Sequence, residues 1–390
     1  MDVELQAGCE LRVEVPLHEK VKFVVSEGTA EENGQELLLG KWYTVKDEPF
    51  FIFTYTGCKI KLAPNKAFSY VSEESNIPYI YNVFEYLRFA KKKIVLVVGE
   101  GRNTLTNILS NYYVRNDEKV LHVNLDVHSS GIMVPGSLCS TVIQEVYSHV
   151  GLLGSADKTC HFYGSQSASD NPDLYRLLLE EALITAQKRE FPGPTIITGS
   201  KEFYQPEIEK VRETYPAACV IIIGNEKLYH QIATDDKIYV PSFPGLAARD
   251  TQRKRMQLTS RIKGYFHGEQ DEYTPCTVTV KIRTEESGTE EEDRHRLVQV
   301  GDEYMAPMSA LPLGSSRRKN STSVIDVAPV ERSLLAVSSA ERVEDVPTAP
   351  VIGFLVVLEV VSEEEIKVLS PQPRIPQKQY LVQSKVRMLE

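Results

Sequence analysis

The sequence predicts a multidomain α/β chain: a small antiparallel β domain, a doubly wound parallel sheet with flanking helices, and a smaller mixed carboxy-terminal domain. Three observations carry this. Period-two runs fill the first 75 or so residues, buried-strand runs alternate with helical stretches in the middle, and short strand-like segments return after about residue 270. At 390 residues the chain is also too long for one compact core, so two or three domains are expected.

The amino-terminal strands are read from Leu11 to Val15, Val21 to Val25, Phe50 to Tyr55 and Cys58 to Leu62, separated by turn residues at Glu31 to Gly34 and Ala63 to Asn65. Alternation with turn punctuation and no helical period argues antiparallel pairing. Trp42, the only tryptophan, is expected in the core or between sheets rather than as a ligand platform. In the middle, Ile94 to Val98, Val120 to Asp126, Thr195 to Thr198 and Cys219 to Ile223 read as buried strands. A helix should start at Asn171-Pro172, a capping residue followed by proline, and carry Leu174, Leu177, Leu178, Leu179 and Leu183 at roughly helical spacing. Strands alternating with helices make a parallel sheet. In the last third, the Glu-rich stretch 284–293 and the basic stretch 315–320 read as solvated loops.

Composition narrows the function. Hydrophobic residues at 42% and charged residues at 25% are ordinary globular values. The formal net charge is −10, whereas chains that grip long nucleic acid by neutralising phosphates carry a positive surplus, so any RNA contact must be local. Six scattered cysteines form no CxxC pair, which gives neither a common zinc site nor a disulfide framework and suits a reducing compartment. The amino terminus has no secretory pattern, and the longest apolar run, from Val351 to Val361, is too short for a membrane span. No metal-ligand set is found.

Three segments are candidates for chemistry. The first follows the strand ending at Val98, where P-loop proteins place GxxxxGK[ST] to ring phosphates with backbone N–H groups. Here the residues are Gly99-Glu-Gly-Arg-Asn-Thr-Leu-Thr106. Aligning Gly99 and Thr106 puts Thr104 and Leu105 where glycine and lysine belong. Aligning Gly101, Arg102, Asn103 and Thr104 with Gly-Lys-Ser-Thr leaves the loop three residues short, with Glu100 where an anion should sit. Arginine does not reproduce lysine's compact ammonium. The bland reading is strand-to-helix punctuation. The second candidate is Asp126, at a strand's carboxyl end: it could hold magnesium or accept a proton, or simply cap the next loop, and both readings stand. The third is the basic run Ala248-Arg-Asp-Thr-Gln-Arg-Lys-Arg255, continuing to Arg261 and Lys263, either a lid over a nucleotide or a solvated face. His122, His128 and His161 lack ligand spacing, and Cys139 has no identifiable base.

Read together, these segments resemble the Clp family of cleavage and polyadenylation factor subunits, which includes RNA 5′-hydroxyl kinases. The resemblance rests on Glu10-Leu-Arg-Val-Glu14 and Phe53 to Cys58 in the first part, on Leu125-Asp-Val127, Val134-Pro-Gly136, Glu226 to Tyr229 and Arg261 to Gly268 in the middle, and on Leu311 to Gly314, Gly353 to Val357 and Val368 to Arg374 at the end. It implies an N-terminal β-sandwich over residues 1–85, a central P-loop NTPase-like domain over 86–270 and a C-terminal domain over 271–390. ATP and Mg2+ are the family's cofactors, and the broken loop argues against their being held here. The resemblance makes Asp126 the proposed proton acceptor and Arg249 and Arg255 lid arginines, with Gly99, Gly101, Arg102, Asn103, Thr104 and Thr106 standing in for the cofactor loop. Ser129 replaces the kinases' glutamine, and Gly199-Ser200 replaces their Gly-Trp.

Losses in several parts of one site inside a persistent framework point to a retired enzyme. The leading expectation is a nuclear structural subunit of the mRNA 3′-end cleavage and polyadenylation machinery, docking a partner that reads the polymerase tail. The runner-up is an active RNA 5′-hydroxyl kinase, in 3′-end processing or tRNA splicing. A third, an unrelated nucleotide-dependent metabolic enzyme, is disfavoured by the β domain ahead of the sheet and by the Leu369-Ser-Pro-Gln-Pro-Arg374 segment.

Overall fold

The computed structural model describes residues 1–128, 131–147, 157–244, 251–268, 272–283, 294–301, 321–377 and 380–388. Ser129, Arg249, the Glu-rich stretch 284–293, the segment 311–314 and the basic stretch 315–320 lie outside the described residues. The chain forms two compact units. The first comprises Met1–Val123, Thr141–Ala156 and Glu190–Gln257, and the second Asn124–Ser140, Asp157–Arg189 and Leu258–Glu390.

The first unit opens with nine strands: β1 (Asp2–Leu5), β2 (Glu10–Glu14), β3 (Lys20–Gly28), β4 (Glu31–Glu32), β5 (Gln35–Glu36), β6 (Trp42–Lys46), β7 (Phe50–Phe53), β8 (Cys58–Leu62) and β9 (Phe68–Ser72). They make two sheets, β1-β8-β3-β6 and β5-β4-β7-β2-β9, the expected β-sandwich. Alternation decides what goes inside. Val21, Phe23 and Val25 of β3 join Val3, Leu5, Ile60, Leu62, Leu11, Val13 and Ile52 in one core. Each fully buried side chain of this size contributes roughly 1.5–3 kcal/mol. Trp42 is not in that core. It is 55% exposed, because in Trp42-Tyr-Thr-Val-Lys46 the inward phase belongs to Tyr43 and Val45. The sequence-based placement of Trp42 in the core or between the sheets is therefore corrected: the pleat sends it outward with Lys46.

The α/β part supplies α1 (Ile77–Phe89), β10 (Ile94–Gly99), α2 (Arg102–Arg115), β11 (Val120–Asn124), β12 (Ser137–Ile143), β13 (Lys158–Phe162), α3 (Pro172–Gln187), β14 (Thr195–Thr198), α4 (Gln205–Thr214), β15 (Cys219–Ile223), α5 (Glu226–Gln231), β16 (Lys237–Val240) and α6 (Thr251–His267). Within the first unit the strand order is β11-β14-β10-β15-β16, with β14, β10, β15 and β16 pairing in parallel. The central strands β10 and β15 carry apolar side chains on both faces, as strands of a parallel sheet covered on both sides do. Phe84 of α1 meets Tyr112 and Tyr113 of α2 at ring separations of 5.3 and 4.9 Å.

The β4–β5 hairpin sits on α2. Its tip, Gly34, has φ +76, and a Cβ there would stand 2.8 Å from the Ile108 carbonyl oxygen, so the approach needs glycine. Glu31, buried, accepts from the Tyr112 hydroxyl at 2.5 Å and from Arg115 at 3.1 Å, while Arg115 also donates to the Gly34 carbonyl at 3.0 Å. Asn111 donates to the Asn33 carbonyl at 2.9 Å. Burial raises the Glu31 carboxyl above the usual range, and Tyr112 and Arg115 oppose that rise.

In the second unit α3 starts where the sequence places it: Asn171 caps the helix by accepting from the Leu174 amide at 3.3 Å. A mixed seven-stranded sheet follows, from β17 (Cys276–Lys281), β18 (Arg296–Val300), β19 (Val324–Asp326), β20 (Ser333–Ser338), β21 (Val351–Ser362), β22 (Glu365–Ser370) and β23 (Tyr380–Arg387), in the order β17-β22-β21-β20-β23-β18-β19. The apolar run at Val351 is β21, and among the described residues no helix is long and apolar enough to cross a membrane.

The Glu31 cluster yields a stability test. Arg115→Ala leaves a buried carboxylate short of its cation and should cost roughly 3 kcal/mol in urea unfolding. Adding Glu31→Gln to that background should recover most of the loss, because the stranded charge is gone.

Candidate functional site

The loop after β10 is a tight turn. Only Glu100 and Gly101 separate the last strand residue, Gly99, from the first helical residue, Arg102. Gly99 has φ +107, and a Cβ on it would lie 2.3 Å from the Ile223 carbonyl oxygen, so the close run of β10 against β15 demands glycine. Gly101 is the helix N-cap at φ +92 and contributes no side-chain cap.

This geometry settles which sequence register describes the loop. Gly101, Arg102, Asn103 and Thr104 occupy the N-cap and first turn of α2. Leu105 is a core residue, and Thr106 is buried one turn further on. The Thr106 hydroxyl faces the sheet, 2.9 Å from the Thr198 hydroxyl, which lies 2.9 Å from His122 Nε2. Its bond is spent inside the protein rather than at the mouth of a loop.

Arg102 occupies the lysine position and is buried, with Nη1 turned back to the Gly99 carbonyl at 3.3 Å. Glu100 is exposed. The first turn of α2 has no acidic residue, so the positive helix end and the Arg102 guanidinium lie together. The pole is positive, yet a phosphate cradle also needs a ring of successive N–H groups. One residue stands between Gly99 and Gly101 where the motif has four. The residues present do not fit a triphosphate cradle.

The other expected positions fall elsewhere. Asp126 belongs to the second unit, is fully buried, and caps its own turn: its carboxylate accepts from the His128 amide at 3.2 Å, and its amide donates to Asn124 Oδ1 at 2.8 Å. Arg255, on α6 in the first unit, is exposed and makes no ion pair or hydrogen bond among the described residues. Its neighbours anchor the helix: Arg253 donates to the Val15 carbonyl at 3.1 Å and Gln257 to Glu48 at 2.9 Å. Ser200, where the resemblance leads one to expect tryptophan, is buried, and Phe203 packs against Gly199. Among the described residues no cluster of three or more His, Cys, Asp or Glu could hold a metal ion.

Sequence reasoning missed the Thr106–Thr198–His122 chain. Its members are 92 and 76 residues apart, and the only local signal was polar residues inside apolar strands. His122 is buried, Nδ1 has no hydrogen-bond partner among the described residues, and desolvation lowers its pKa to about 4.

Comparison with known proteins gives three consecutive family matches. Residues 4–94 match the N-terminal beta-sandwich domain of polyadenylation factor, 98–268 the mRNA cleavage and polyadenylation factor CLP1 P-loop, and 288–390 the pre-mRNA cleavage complex II protein Clp1. The Protein CLP1 homolog of Anopheles gambiae is 29% identical, covering 98% of this chain and 96% of its own. That of Dictyostelium discoideum is 27% identical, covering 99% and 89%. Two solved structures share the fold at 19% identity. A Clp1p structure described by an extended interface with Pcf11p, and by ATP loss in a glycine-to-arginine point mutant, has TM-score 0.82 over 99% of this chain and 98% of its own. The wild-type Clp1p–Pcf11 complex has TM-score 0.80 over 99% and 97%.

His122 sets an acid dependence. The unfolded histidine takes up a proton near its ordinary pKa of 6.5, while the folded one resists until about 4. Stability is therefore unaffected above that window and falls as pH drops through it, by up to about 1.4 kcal/mol per pH unit. A His122→Gln variant should lose about 2 kcal/mol less than the parent between roughly pH 7 and pH 5, read from denaturant midpoints.

Proposed function

The chain belongs to the Clp1 family of mRNA cleavage and polyadenylation factors, and from that premise we propose that it works in the nucleus as a structural subunit of the 3′-end machinery, without kinase activity. The observation that carries this is the loop at Gly99–Arg102, with one residue between its glycines and an arginine folded back on the Gly99 carbonyl.

Phosphoryl transfer to a hydroxyl is largely positioning and charge neutralisation. A loop of this length offers too few N–H groups to hold the outer phosphates, and a guanidinium bonded to its own loop carbonyl is not free to follow a moving phosphoryl group. The same residues are well suited to being structure. Gly99 lets β10 run close to β15, Gly101 starts α2, and Thr106 ties α2 to Thr198. A relative's loss of ATP on gaining an arginine is in keeping with this reading. The partner we propose is the cleavage-factor subunit that reads the polymerase tail, by analogy with the Clp1p–Pcf11 complex.

A second reading, an RNA 5′-hydroxyl kinase in 3′-end processing or tRNA splicing, has the strand-end position of Asp126 in its favour. Two measurements separate the readings. Incubation with 5′-hydroxyl RNA and labelled ATP, beside an intact family member, should give no transfer above background; label at a rate near the control overturns the proposal. Asp126→Asn should leave both the complex with the tail-reading factor, formed without ATP, and its RNA processing intact, shifting stability by about 1 kcal/mol at most. Assembly without processing would give Asp126 a chemical role.

A further inference from the structure

The outward face of the β1-β8-β3-β6 sheet departs from the acidic character of the chain. The pleat sends Lys20 and Lys22 of β3 and Trp42, Thr44 and Lys46 of β6 to solvent, all of them exposed. Register places Lys20 directly opposite Lys46, Lys22 opposite Thr44, and Val24 between Trp42 and Lys61 of β8. Like charges directly opposite on a sheet are unfavourable, so the Lys20–Lys46 pair carries a local cost.

The acidic groups of this face sit at its other margin. Glu27 pairs with Lys59 at 2.6 Å, and Asp2 and Glu4 of β1 stand opposite Lys61 and Lys59. On the β3–β6 side Asp47 lies 3.9 Å from Lys46, and Glu19, next to Lys20, is engaged by Lys66 at 3.0 Å. Among the described residues Lys20 and Lys22 make no ion pair. The positive charge thus runs along the same face as the indole, with Lys22 the nearest of the three lysines by register.

Trp42 itself is placed as a platform. Val24 points outward yet is only 6% exposed, and its cross-strand neighbours on either side are Trp42 and Lys61. Trp42 stays 55% exposed. An indole resting on the sheet with surface left open, next to unpaired ammonium groups about 6.8 Å apart along a strand, is the combination that binds single-stranded nucleic acid: bases stack and phosphates meet lysines. In a chain of net charge −10 any contact with a polyanion has to be local, as it would be on this face.

We propose that the β3–β6 face, with Trp42 as stacking platform and Lys20, Lys22 and Lys46 as phosphate contacts, is a binding surface for single-stranded RNA. The choice of RNA over DNA rests on the processing role proposed above; the surface itself does not. A failed kinase or partner experiment leaves this measurement unaffected.

Because Trp42 is the only tryptophan, intrinsic emission of the full chain reports from the middle of the surface. Titration with an oligouridylate of about 12 nucleotides at low salt should quench that emission, with affinity falling as salt rises. Lys20→Glu with Lys22→Glu should weaken binding at least tenfold while circular dichroism is unchanged. With labelled RNA followed by anisotropy, Trp42→Ala should weaken binding about fivefold to a hundredfold, and Trp42→Tyr should restore most of it. The matching oligodeoxythymidylate tests the choice of RNA: equal binding overturns that choice and leaves the surface standing. No quenching by either strand, equal quenching by polyglutamate, or Trp42→Ala binding like the parent overturns the surface; the polyglutamate result would make it a dock for an acidic protein segment.

Discussion

The Glu31 carboxylate is buried, and the packing around α2 keeps it paired. A desolvated carboxylate short of partners is among the most costly arrangements a fold can hold, and Tyr112 and Arg115 must both be in place to prevent it. They lie at the carboxyl end of α2, so pairing Glu31 fixes the helix against the β-sandwich. Asn111 adds a second lock, donating to both the Asn33 and Tyr147 carbonyls at 2.9 Å. With α2 fixed at this end, its amino end is fixed too, and the Gly99–Arg102 turn inherits its position.

That dependence gives the Gly99–Arg102 turn a structural role of its own, whatever chemistry it serves. The two glycines have structural duties that do not involve phosphate: one clears the Ile223 carbonyl, the other begins a helix. Arg102, by contrast, is tied to the turn by its bond to the Gly99 carbonyl. Where the family resemblance anticipates a ring for substrate, Ser200 is buried, and Phe203 packs against the neighbouring Gly199.

What the sequence made legible was what local periodicity controls. β8, β14 and β15 fall on the residues their runs indicated, and α3 starts at its Asn-Pro signal because capping is a short-range effect. Trp42 was misplaced by weighing residue type over phase; the alternation from Trp42 to Lys46 carried the outward direction all along. The loop register was undecidable from residues because both alignments kept one glycine and one threonine. Only the start of α2, set by packing, separates them. The Glu31 cluster and the His122 chain join positions 76 to 92 residues apart, and no single stretch carries a trace of such pairings.

The seating of Gly34 against the Ile108 carbonyl has a consequence for synthesis. The hairpin that carries Glu31 leaves the ribosome long before the helix that completes it. Until Arg115 has emerged, the tip from Glu31 to Gly34 has neither its cation nor its supporting surface, so the amino-terminal sandwich cannot finish as an independent body. It waits, solvated at one end, for roughly eighty further residues, several seconds at ordinary elongation rates. The boundary between the first two segments of the chain is therefore not a boundary in folding order: the second segment supplies the last piece of the first.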